Sequence, residues 1–147
     1  MKLNYLSFVL FFMLVSVSSV HAQKPVAQKP VINIRGIGTY HSLKELEGLL
    51  KGELINLYIE RIKIIVNIVP YVGMTNKPGV TLKDLGIPET VENLKALDRE
   101  TENKNVFVAT NYDFLITMLP YSDKSSIIQG ILFYEDVLKK IHSGDEL

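Results

Sequence analysis

The residues best equipped for chemistry in this chain are an arginine, a handful of tyrosines and some scattered carboxylates. Arg61 falls on the same helical stripe as Leu43, Leu50 and Ile68, so its guanidinium points toward a core and needs a carboxylate there. Glu53, Asp113 and Glu135 are the candidate partners. If the fork instead faces a cavity, Arg61 with Tyr58, Tyr71, Tyr112 or Tyr121 makes a pocket for a small anion or carboxylate, the rings offering apolar bodies with polar tips. Internal pairing is the plainer use of such an arginine.

Other chemistry is poorly supplied. The chain has no cysteine, which excludes a thiol nucleophile, a thiolate metal site, a lipid anchor on cysteine and a disulfide framework. Its histidines stand at 21, 41 and 142, and neither His41 nor His142 belongs to a spacing that sets metal ligands on one helical face. No metal and no cofactor are expected. Glu53 and Glu60 lie one heptad apart, an arrangement more typical of a solvated edge than of a carboxylate metal site. With Asp113 they are the acid–base residues a hydrolase reading would use, and no nucleophile motif accompanies them. Gly36-Ile37-Gly38-Thr39-Tyr40-His41 lacks the third glycine of a dinucleotide loop and reads as a turn.

The elements that must position these residues follow a leader. Lys2 precedes an apolar run over 6–20, and Val20-His21-Ala22 supplies small residues where a signal peptidase reads. The run is too short and too interrupted by Ser16, Ser18 and Ser19 for a membrane span. Residues 1–22 are therefore expected to be a signal peptide cleaved between Ala22 and Gln23, with the product in the periplasm or outside the cell. Without the leader about 125 residues remain, enough to bury well over half of the unfolded surface without disulfides.

Gln23-Lys24-Pro25-Val26 recurs as Gln28-Lys29-Pro30-Val31, and residues 23–41 read as a flexible, basic, proline-containing arm. A single domain over 42–147 follows. Ser42-Leu43-Lys44-Glu45 is a capping box, and the helical stripe it opens runs to Pro70 with only Gly48 and Gly52 as weak points. A turn over 81–86 and a short surface helix from Pro88 to about Glu102 come next. Phe107, Phe114, Leu115 and Met118 then make a helical face over 105–119, and Ser122 or Asp123 caps a last helix through Ile127, Ile131, Tyr134, Leu138 and Ile141. Aliphatic-Pro-Tyr closes two of these segments, at Val69-Pro70-Tyr71 and Leu119-Pro120-Tyr121. The pattern predicts a mainly α protein, a small bundle of about four helices in two hairpins. The alternative is an α+β fold with strands near 55–69 and 105–110, where β-branched residues cluster.

Two short stretches carry resemblances. Thr81-Leu82-Lys83-Asp84-Leu85-Gly86-Ile87-Pro88-Glu89-Thr90-Val91-Glu92-Asn93-Leu94 resembles a helix-turn-helix segment of DNA-binding regulators. Its Gly86–Val91 step is one residue short, however, and Glu89, Glu92, Asp98, Glu100 and Glu102 would repel phosphate, so no nucleic-acid partner is expected. Gly144-Asp145-Glu146-Leu147 is similar to the retrieval signal of soluble endoplasmic-reticulum residents, with Gly144 where that signal has a basic residue. The expectation overall is an exported helical module that binds a protein or a small anionic ligand. A secreted hydrolase and a resident of the endoplasmic reticulum are the alternatives.

Overall fold

The computed structural model describes residues 28–34 and 38–143. The expected leader and the ending at Gly144-Asp145-Glu146-Leu147 lie outside the described residues. Within them the protein is a bundle of four helices, α1 (Leu43–Gly48), α2 (Lys51–Ile68), α3 (Val91–Met118) and α4 (Lys124–Ser143), with no strand. The β-branched stretches at 55–69 and 105–110 are helical, because each continues a long run without a turn residue and has an apolar side to bury.

Local chemistry sets most boundaries. The amide of Ser42 donates to Glu45 Oε2 at 2.7 Å and the amide of Glu45 donates to Ser42 Oγ at 3.4 Å, closing the box that starts α1. The helix expected to continue unbroken to Val69 is interrupted by Leu49 and Leu50, both extended, at ψ 152° and 153°. Gly48 and Gly52 weaken this turn of helix, and Glu53 makes the interruption tolerable by accepting the Leu50 amide at 2.7 Å. Both aliphatic-Pro-Tyr segments form 3-10 turns, Val69–Tyr71 and Leu119–Tyr121, each ending an α-helix.

The two helices expected over 88–102 and 105–119 are a single one, α3. Thr90 rather than Pro88 begins it, its hydroxyl accepting the Asn93 amide at 3.2 Å. No glycine or proline stands inside, and Thr101, Asn111 and Thr117 donate back to carbonyls four residues earlier. The segment resembling a helix-turn-helix opens with a turn instead of a helix. Thr81 and Asp84 cap each other there, and Gly86 closes the turn at φ 71°.

α2 is the central helix. It packs along α4 on one side and against α3 on the other. One end of the core gathers Leu46, Leu54, Ile55, Leu119, Ile127, Ile128 and Ile131. The other gathers Ile64, Ile68, Tyr71, Leu82, Leu97, Leu138 and Ile141, together with Val31 and Ile32. Residues 28–34 are therefore packed, although they belong to the stretch expected to be a flexible arm. The Val31 amide donates to the Val80 carbonyl at 2.8 Å and the Gly79 amide to the Ile32 carbonyl at 3.1 Å, so the backbone is paired while both side chains are buried.

The α2–α4 contact depends on one glycine. A Cβ on Gly130 would stand 2.4 Å from Tyr58 Cε2, and the Tyr58 ring is held edge-on against Tyr134 with centroids 5.4 Å apart. Gly130→Ala is expected to destabilise the fold by about 1–3 kcal/mol through overpacking. Urea unfolding checks this, and combining it with Tyr58→Ala should relieve most of the added cost.

Candidate functional site

Arg61 and Glu135 face each other across the α2–α4 seam. Both are almost fully buried, at 2% and 1% exposure. Arg61 Nε donates to Glu135 Oε1 at 2.9 Å, Nη2 to the Thr39 carbonyl at 3.0 Å and Nη1 to Glu60 Oε1 at 3.2 Å. The other half of the carboxylate is taken by the residue before the first cap. The His41 amide donates to Glu135 Oε2 at 2.6 Å, and His41 Nδ1 lies 2.8 Å from Oε1. Burial raises the Glu135 pKa, but hydrogen bonds from the His41 backbone and ring and from Arg61 outweigh it, so the carboxyl sits below its ordinary value. Ionised, it can only accept, so His41 Nδ1 donates to it.

The cluster extends outward through Tyr40, whose hydroxyl hydrogen-bonds His142 Nδ1 at 2.7 Å, with Lys139 Nζ 5.0 Å from the ring centroid. Residues 39–41 are thus held to α2 by Arg61 and to α4 by Glu135 and His142. Of the three carboxylates considered for Arg61, Glu135 is the one that pairs with it. Glu53 caps α2, and Asp113 is exposed on α3.

The tyrosines considered with Arg61 are distributed elsewhere. Tyr58 meets Tyr134, hydroxyl to hydroxyl at 3.3 Å. Tyr71 donates to Glu100 Oε1 at 2.8 Å and receives Lys104 Nζ at 3.4 Å; burial, then Glu100, pushes its pKa up to about 12. Burial also lowers the Lys104 pKa, against the pull of Glu100. Tyr112 lines an open cleft of about 330 Å³ between α2 and α3, with Asp113, Lys63, Ile59, Ile62 and Leu115 among its walls. Tyr121 is the most exposed of the large hydrophobic side chains described. No described group of three or more histidines or carboxylates is placed to hold a metal ion. Every buried side-chain nitrogen and oxygen among the described residues has a partner.

The second notable surface is on α3. Its first half is charged, but from 105 to its end Asp113 is the sole charged residue. Leu115 turns inward against the core, whereas Val106, Phe107, Tyr112, Phe114, Ile116 and Met118 remain exposed. Periodicity marked Phe107, Phe114 and Met118 as a face to be buried, and within the described residues nothing covers it. Scattered exposed apolar residues are ordinary; Phe107, Phe114 and Met118 instead recur at helical spacing along one side of a single helix, and such a set signals contact. No described helix is long and apolar enough to cross a membrane.

Sequence reasoning passed over Tyr40, His41 and His142 as members of a cluster. The capping box fixed where His41 stands relative to α1, but nothing in its spacing pointed to Glu135. Compared with known proteins, the chain matches no family, and no curated protein or solved structure is detectably similar to it.

Proposed function

We propose that this chain is an exported, non-enzymatic interaction module that makes contact through the outer face of α3. The observation that carries this reading is the exposed Phe107, Phe114 and Met118 on a helix half with a single charge. A helix apolar around most of its circumference belongs in an interior, and here the remaining interior has to come from a partner. The ionisable groups speak the same way. Arg61 engages protein acceptors through all three of its nitrogens, so a small anion would have to displace Glu135, Glu60 or Thr39 to use it. Glu53 and Glu60, offered for acid–base work, serve a cap and an ion pair. Export is supported by Lys2, the apolar run at 6–20 and the small residues before Gln23.

Photo-crosslinking in the native host tests the reading. With benzoylphenylalanine at Phe114, the envelope fraction should yield an adduct of one defined mass, on a chain beginning at Gln23. The same probe at the exposed Lys140 should yield none. Equal labelling at both positions, or none at either, would remove α3 as the contact surface.

A further inference from the structure

We propose that the cleft between α2 and α3 binds a small zwitterion of the α-amino acid type with a bulky apolar side chain. This goes beyond the contact reading of α3 and does not depend on it, because Phe114 lies about 200° around the helix from Tyr112, which lines the cleft. The cleft has a structural cause. α2 is held to α4 by Arg61 and Glu135, whereas α3 is fastened on either side of the cleft, by Glu100 and Lys104 to Tyr71 and by Leu119 beside Leu54 and Ile55. Between these points Ala109 offers only a methyl group, and about 330 Å³ stays open. That is the small end of the range for ligand clefts.

Ile59 and Ile62 from α2 and Val108 and Leu115 from α3 form the apolar walls, each of them only half-buried. A ligand body laid against them removes more of their surface from water. Lys63 stands on the α2 side and Asp113 on the α3 side. Neither side chain forms an ion pair or hydrogen bond with a described residue, so the two charges do not satisfy each other. Asn111 supplies no donor, its amide being spent on the Phe107 carbonyl.

The two signs select the ligand. A simple anion drawn to Lys63 meets the Asp113 carboxylate, and a simple cation drawn to Asp113 meets the Lys63 ammonium. A molecule carrying both charges satisfies both at once, and repulsion excludes the rest. Its carboxylate accepts from Lys63 Nζ, its ammonium donates to Asp113, and its apolar side chain lies between the walls. Both protein charges are open to solvent, which weakens each contact. The expected dissociation constant is therefore about 0.1–1 mM.

Titration calorimetry of the chain as processed by its host, at about pH 6 where α-amino groups are protonated, should detect phenylalanine in that range. N-acetylphenylalanine lacks the ammonium and phenylalaninamide the carboxylate, and each should bind about tenfold more weakly. Glycine, without the apolar body, should give no heat up to about 10 mM. Asp113→Asn should narrow the gap between phenylalanine and N-acetylphenylalanine to under about threefold, and Lys63→Met should do the same for phenylalaninamide, with far-ultraviolet spectra unchanged. Ala109→Leu, which fills the cleft, should abolish binding. Phenylalanine giving neither heat nor a saturation-transfer NMR signal at about 10 mM would overturn the proposal. So would equal affinity for phenylalanine and its two derivatives, preferences left unchanged by Asp113→Asn and Lys63→Met, or binding that survives Ala109→Leu.

Discussion

Replacing Glu135 with alanine is expected to destabilise the protein by about 3–5 kcal/mol, the cost of stranding a buried charge by removing its partner. Domains of this size are stable by only about 5–15 kcal/mol, so a measurable unfolded fraction is expected at room temperature. The substitution leaves Arg61 Nε without its acceptor and frees both the amide and the ring of His41, which releases residues 39–41 from α4. Urea unfolding followed by circular dichroism measures the loss. Hydrogen exchange at the His41 amide should show the release directly. Replacing both charges, Arg61→Met with Glu135→Leu, should recover most of the stability, since an apolar pair of similar volume often equals or betters a buried ion pair. A cost below about 1 kcal/mol for Glu135→Ala would mean that the pair is solvated like a surface bridge.

The same carboxylate predicts an acid dependence. Its folded pKa lies below the ordinary value of 4.5, so as pH falls the unfolded chain takes up the proton first. The stability that Glu135 contributes is therefore complete above that ordinary value and is lost as pH drops through the lower, folded one. Glu135→Gln should flatten this limb of the stability curve.

The second large effect is expected at a residue that reads as part of a tether. Ile32 has no exposed surface, and its neighbours are the buried residues joining α2, α3 and α4. Ile32→Ala should cost about 2–5 kcal/mol, the range for deleting a large buried aliphatic side chain. Leu50→Ala, at a leucine 74% exposed, should change stability by less than about 0.5 kcal/mol. Paired urea melts make the comparison. Equal effects at the two positions would show that residues 28–34 are a detachable appendage instead of part of the core.

Helices were legible because their signals are short-range. The Ser42–Glu45 box, the aliphatic-Pro-Tyr stops and the apolar spacing of the last helix all act within a few residues, and each appears where the sequence places it. Where local signals were weak, boundaries moved. Gly48 and Gly52 read as isolated weak points, yet they flank a break, because the Leu50 amide finds an acceptor in Glu53. The polar stretch around Glu102 read as a gap, yet α3 runs through it, because nothing there interrupts the backbone ladder.

The sequence by itself determined that this is a cysteine-free, mainly helical domain with a buried arginine in need of a carboxylate. Tertiary structure alone decided that the carboxylate is Glu135, that His41 shares it, that Val31 and Ile32 join the core, and that Phe107 and Phe114 stay outside. The physical reason is one of range. Periodicity and capping are settled by neighbours along the chain, whereas the meeting of residues 41, 61 and 135 depends on how the helices pack, which no local spacing records.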